Sequence, residues 1–120
     1  MKSGSLVVFC THGTYGRNDD LYGALLLSNA SLAKGLKVSL IMIEDGVYAC
    51  KKNQDTNKIG YPNNLNELND FIELGGEILV DEHSLQERGL SKDELLENSK
   101  IMGLKTIEEI VAKNSISLTF

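Results

Sequence analysis

Residues 6–20 read LVVFCTHGTYGRNDD. Leu6 to Cys10 is a continuous apolar run with β-branched and aromatic members, as expected of a strand covered on both faces. Gly13 and Gly16 then break the run. Asn18 reads as a helix N-cap, and Asp19 and Asp20 sit where acids complement the positive end of the helix dipole. Strand, glycine turn and helix in this order open an α/β fold.

The rest of the chain continues the pattern. Leu21, Leu25, Ser28 and Leu32 fall on one helix face, widened by Ala24 and Leu27, and Gly35 is the expected stop. Val38 to Ile43 (VSLIMI) is a second unalternated apolar run, and Ile78 to Val80 a shorter third. Between them a helix starts near Asn63 or Asn64, turns Leu65, Leu68, Phe71 and Ile72 inward, and stops at Gly75-Gly76. Ser84-x-x-Glu87, Ser91-x-x-Glu94 and Thr106-x-x-Glu109 each match a capping box. Leu90 and Leu95 stand where a hydrophobic staple around Ser91 would need them. The closing SISLTF alternates, which suits a last strand near a sheet edge.

The expected order is β-α-β-loop-α-β-α-α-α-β. Such alternation predicts a three-layer α/β fold with a mostly parallel sheet of four to five strands and helices on both faces. Right-handed crossovers are expected to put the second and third strands on opposite sides of the first. That would make a ligand-binding switch point at the carboxyl end of the first strand. Three segments end there: Cys10-Thr11-His12-Gly13, Glu44-Asp45-Gly46-Val47 and Asp81-Glu82-His83, which include both histidines of the chain. The polar connection Lys51 to Pro62 carries the single proline. It is long for a compact α/β domain and reads as a lid or a contact loop.

Composition narrows the function. With 120 residues the chain is the size of one domain with one core, and residues 1–120 are read as such. Hydrophobic residues at 42% and charged residues at 24% mark a globular chain rather than a disordered one. A net charge of -5 argues against a surface that neutralises nucleic-acid phosphates, since Lys51-Lys52 is the one local basic cluster. No apolar run is long enough to span a bilayer, and the start of the chain does not read as a signal peptide. A cytoplasmic location is therefore expected, with the two cysteines as free thiols.

The motifs have plain readings beside functional ones. THGTYGRND lacks both GxGxxG and GxxxxGK[ST], so a tight turn is favoured over a phosphate cradle. Asp19 and Asp20 also disfavour an anion at that helix end. Cys50 lies beside Lys51 and Lys52, and neighbouring cations favour the reactive thiolate. Its plain reading is a small apolar residue packed in a short helix. Cys10 ends an apolar strand and is expected to be buried and inert. His12, Asp81, Glu82 and His83 include a two-histidine, one-carboxylate set, but without diagnostic metal-ligand spacing. A His12–Asp81 acid–base pair is a further possibility.

THGTYG after the first strand, a leucine-rich helix ending at Gly35, EDGVYAC after the second strand, RGL before a helical region and the closing NSISLTF resemble the DsrE/TusD family of small sulfur-relay proteins. The resemblance runs along nearly the whole chain. It implies a flavodoxin-like fold and assembly as trimers or hexamers, from identical subunits or from related DsrE-, DsrF- and DsrH-like ones. It also implies, in active members, a cysteine after the third strand that takes sulfur as a persulfide from one protein and passes it to another, in sulfur oxidation or tRNA thiolation. Such transfer needs an accessible thiolate. Counted back from Arg88-Gly89-Leu90, the position of that cysteine falls at or next to Asp81. A carboxylate cannot hold a persulfide, and it repels thiolates brought near it.

The leading expectation is thus a non-catalytic binding, scaffolding or regulatory subunit of a sulfur-relay assembly. Its ligand-binding cleft would comprise Thr11, His12, Gly13, Tyr15, Gly16, Asp45, Gly46, Val47, Tyr48, Asp81, Glu82 and His83. The alternatives are a sulfurtransferase-like carrier using Cys50, and a small-molecule enzyme using His12 with Asp81 or Glu82. No cofactor, metal, nucleic acid or membrane is expected. A sulfur-carrier protein is an expected partner.

Overall fold

The computed structural model describes residues 4–13, 20–53, 64–113 and 116–120. Asn18, Asp19, the glycine-turn residues Tyr15 and Gly16, and most of the Lys51–Pro62 connection lie outside the described residues. Five parallel strands form one sheet: β1 (Ser5–Cys10), β2 (Lys37–Met42), β3 (Glu77–Asp81), β4 (Ser99–Met102) and β5 (Ile116–Thr119). Among the described residues, four α-helices accompany them: α1 (Asp20–Ala33), α2 (Asn64–Glu73), α3 (Glu82–Glu87) and α4 (Leu104–Lys113). The expected three-layer, flavodoxin-like α/β architecture is present.

The unalternated strands are covered on both sides. Leu6, Val8, Cys10, Val38, Leu40, Met42, Ile78 and Val80 pack under Leu21, Ala24 and Leu25 of α1 and Leu68 and Phe71 of α2. Val7, Ile41 and Leu79 face the other way, under Ile107 of α4. Phe71 is fully buried, which stabilises the fold by about 1.5–3 kcal/mol. Its ring lies over Gly76, where any Cβ would overlap the ring atoms. Gly35 and Gly75 end α1 and α2 at φ +93° and +92°, in the left-handed region glycine favours.

The strand order is β4-β3-β2-β1-β5, which corrects the expected placement of the second and third strands. They do not flank the first strand; β3 lies beyond β2. The reason is helix packing. α1 and α2 lie side by side on one face, where the Asn29 side-chain amide donates to the Glu67 carbonyl at 3.1 Å. Successive right-handed crossovers on one face step in one direction. α4 covers the opposite face, so its crossover returns past three strands and sets β5 on the far side of β1. The order therefore reverses between β1 and β5.

Several local expectations are also corrected. Leu27 points outward, while Ser31 is buried and satisfied by donating to the Leu27 carbonyl at 2.8 Å. The region read as three helices holds α3, a 3-10 turn at Lys92–Glu94, strand β4 and α4. Ser99 to Met102 was missed as a strand because it is short, half-exposed and contains Lys100. The Ser91 box is present, with the Ser91 amide donating to Glu94 Oε2 at 2.9 Å. Ser84 does not open a helix, since α3 begins two residues earlier. Thr106 lies inside α4, which begins at Leu104.

Candidate functional site

The carboxyl ends of β1, β2, β3 and β5 form one edge. β1 leads into Thr11-His12-Gly13, and β2 leads through Ile43 into a 3-10 helix at Glu44–Cys50. These two segments are stitched closely. The Ile43 amide donates to the Cys10 carbonyl at 3.1 Å, and the Gly46 amide to the Ile43 carbonyl at 2.8 Å. A Cβ at Gly46 would overlap the Cys10 carbonyl, so this approach requires glycine. At Gly13 a Cβ would stand 3.2 Å from both the Asp45 carbonyl and Tyr48 Cβ. The two glycines of THG and EDGVY are thus what lets the first and second strand exits touch.

A polar relay ties the second exit to the third. Asp81 is the N-cap of α3: its Oδ2 accepts the Ser84 amide at 3.0 Å and the Ser84 hydroxyl at 2.6 Å. The same hydroxyl oxygen accepts the Glu44 amide at 2.9 Å. Glu44 adopts φ +51°, a strained value for a side chain other than glycine. Buried Ser84 therefore passes one hydrogen bond across two strand ends. Arg88 closes the group from the far end of α3. Its Nε donates to Asp45 Oδ1 at 3.0 Å and its Nη1 to the Ser84 carbonyl at 3.2 Å. Arg88 was only a family landmark in the sequence, and Ser84 and Glu44 were not singled out as site residues. The contacts that join the two strand exits, Glu44 with Ser84 and Arg88 with Asp45, span 40 and 43 residues, beyond any local pattern.

The first exit carries its own group. The Thr11 amide and hydroxyl both donate to the Phe120 carbonyl, at 2.9 and 2.7 Å. With its hydrogen so used, Thr11 Oγ1 is an acceptor toward His12 Nδ1 at 3.2 Å. Asp20 Oδ2 stands 3.4 Å from the same nitrogen. Both neighbours of Nδ1 are acceptors, so the surroundings favour a hydrogen on that nitrogen.

The histidine–carboxylate expectations are corrected. His12 pairs with Asp20, whereas Asp81 pairs with Ser84. β2 separates β1 from β3, so the two strand exits stand roughly 10 Å apart at the usual strand spacing. His83 is 77% exposed on the outside of α3, with Nε2 3.5 Å from Glu87 Oε1. It does not converge with His12. Glu82 is likewise exposed, and Val47 is buried in the core rather than lining a cleft. Thr11, Gly13, Asp45, Gly46, Tyr48 and Asp81 remain gathered along the edge.

The lysines do not activate Cys50. Its side chain is 0% exposed, and burial, with a contribution from Cys10, pushes its thiol up to about 12. Burial alone pushes Cys10 to about 12 as well. The Leu96 amide donates to the Cys50 carbonyl at 2.8 Å, pinning the segment inward while Lys51 and Lys52 face water. Sequence neighbours do not determine on which side of the backbone a thiol falls.

The sequence profile of the DsrE/DsrF-like family matches residues 4–120. An uncharacterized protein of Methanocaldococcus jannaschii is 31% identical over 113 residues, covering 94% of this chain and 96% of that protein. An uncharacterized protein of Methanopyrus kandleri is 31% identical over 106 residues, covering 88% and 83%. Among solved structures, the ychN protein from E. coli superposes with a TM-score of 0.84 at 20% identity, covering 99% of this chain and 100% of that one. A protein of unknown function from Methanobacterium thermoautotrophicum superposes with a TM-score of 0.68 at 14% identity, covering 97% and 99%.

Proposed function

From the premise that this chain belongs to the DsrE/DsrF-like family, we propose that it is a non-catalytic subunit of a sulfur-relay assembly, whose strand-end edge binds a partner rather than carrying sulfur. The observation that carries this reading is the state of Asp81. It stands at or next to the place where the resemblance implies the sulfur-bearing cysteine. Its carboxylate holds Ser84 by two hydrogen bonds and caps α3. The residue has become part of the scaffold of the edge.

Both native thiols support the reading. A sulfur carrier must present a thiolate to its donor, and Cys10 and Cys50 are buried with raised pKa values. The Cys50 carrier alternative would require the 3-10 helix at Glu44–Cys50 to open first. The enzyme alternative rested on His12 with Asp81 or Glu82, whereas His12 pairs with Asp20, Asp81 holds Ser84 and Glu82 is exposed.

In this proposal the protein works in the cytoplasm, where free cysteines persist. It assembles as a trimer or hexamer, with copies of itself or with DsrE-, DsrF- or DsrH-like subunits, and meets a sulfur-carrier protein at the edge. The test is to expose the native protein to a persulfide donor and weigh it intact, beside Cys50→Ser and Cys10→Ser. The proposal expects no added sulfur on any of the three.

A further inference from the structure

Among the described residues, β5 lies at the end of the sheet and pairs with β1 alone. Its register sets Ile116 beside Leu6 and Leu118 beside Val8, on the face of α1, and Phe120 packs against the same cluster. Ser117 and Thr119 face the other side. Ile116 and Leu118 are nevertheless 57% and 38% exposed. The opposite edge differs. β4 carries Lys100, whose Nζ stands 3.7 Å from Glu77 Oε2, the kind of charge that guards an edge against further pairing. Residues 116–120 contain no charged side chain and no proline.

The hydrogen bonds show which groups are open. The Phe120 amide donates to the Phe9 carbonyl at 2.8 Å, and the Phe120 carbonyl accepts the Thr11 amide. Both backbone groups of Phe120 therefore point at β1. By strand alternation those of Leu118 and Ile116 do too, and those of Ser117 and Thr119 point outward. Two amides and two carbonyls face the open edge.

We propose that this edge recognises a second copy of itself: two chains pair β5 antiparallel about a two-fold axis at Leu118. The polarity of Ile-Ser-Leu-Thr-Phe reads the same in both directions about Leu118. The axis sets Leu118 against its own copy, Ile116 against the partner's Phe120, and Ser117 against the partner's Thr119. The apolar pairs share one face and the hydroxyl pairs the other, both of them favourable cross-strand combinations. Ser117 and the partner's Thr119 form a hydrogen-bonded pair, and symmetry repeats it, so all four outward groups are satisfied. The contact is isologous and closed. A net charge of -5 repels a second copy in general, and the uncharged segment 116–120 is where that repulsion is least. The inference stands on β5 alone and gives the proposed assembly one specific contact.

The test combines sedimentation velocity with cross-linking. Ser117→Pro removes an outward amide and leaves the ladder to β1 intact. Leu118→Lys places like charges across the axis. Leu118→Cys puts two thiols at a non-hydrogen-bonded pair, where the short backbone separation suits a disulfide. The wild type is expected to sediment as an even-numbered species. Ser117→Pro and Leu118→Lys should shift it to a species of half that mass, with unchanged far-UV circular dichroism. Oxidised Leu118→Cys should give a two-chain band that Lys100→Cys and the wild type lack. An assembly that ignores the two edge variants overturns this contact and leaves the proposed assembly standing. A wild type that is monomeric at every concentration overturns both. Absence of the Leu118→Cys band also overturns the contact, even should the proline variant fail to fold.

Discussion

Ser84 and Asp81 are joined twice: the amide and the hydroxyl of Ser84 both donate to Asp81 Oδ2, at 3.0 and 2.6 Å. The hydroxyl oxygen also accepts the Glu44 amide. One serine thereby locks the exit of β3 to that of β2. Asp81 thereby caps α3 and is tied through Ser84 to the exit of β2.

Ser84→Ala should destabilise the protein by about 1–3 kcal/mol, because the Glu44 amide loses its acceptor in a half-buried site. Asp81→Ala should cost about 1 kcal/mol, the usual value of an N-cap. The double variant should be less damaging than the sum, since both single variants remove the bond between the Ser84 hydroxyl and Asp81. Urea unfolding of the four proteins checks this; strict additivity would show that the two residues are not coupled.

Gly46→Ala should destabilise by on the order of 1–3 kcal/mol, because its Cβ overlaps the Cys10 carbonyl and the strand exits must part. Gly23→Ala, in α1 with open space around it, should instead stabilise by about 0.5–1 kcal/mol. Opposite signs in thermal unfolding would establish that the glycine of EDGVY serves close approach.

Alkaline pH should unfold the protein through its thiols. Cys10 and Cys50 have folded-state pKa values raised from 9.0 to about 12. The folded state therefore holds protons that the unfolded chain releases. Their stabilising effect is complete below pH 9 and is lost as pH rises toward 12, by on the order of 4 kcal/mol for each thiol. Denaturant midpoints across that range should fall steeply for the wild type and less so for Cys10→Ala and Cys50→Ala. A flat profile would mean that the thiols are not held neutral by burial.

Arg88→Lys should weaken the closure of α3 on the 3-10 helix. Lysine cannot reach Asp45 and the Ser84 carbonyl at once. Asp45 is 68% exposed, so the ion pair itself contributes under about 1 kcal/mol and is screened by salt. Faster amide exchange in α3, with little change in global stability, is the expected result.

The parts of the fold that were legible in the sequence are those with local causes. Leu6–Cys10, Val38–Ile43 and Ile78–Val80 read as strands because both faces are covered, and Gly35 and Gly75 mark helix ends because only glycine sits easily at their φ values. Strand order was not legible, because it depends on α2 choosing the face of α1. The three strand-exit loops lie on one edge, as their positions after the strands implied, yet their partnerships were not legible. Glu44 meets Ser84 across the sheet, His12 turns to Asp20 rather than Asp81, and Cys50 turns inward although two lysines follow it. Each of those outcomes is set by tertiary packing, which spacing along the chain does not encode.

The central claim is that Asp81 occupies the position of a sulfur-bearing cysteine and leaves the native chain without a carrier thiol. Intact mass after treatment with a persulfide donor tests it directly, on the wild type, Cys50→Ser, Cys10→Ser and Asp81→Cys. The account predicts no added sulfur on the wild type and a single added sulfur on Asp81→Cys. A sulfur adduct on the wild type that disappears in Cys50→Ser would contradict it.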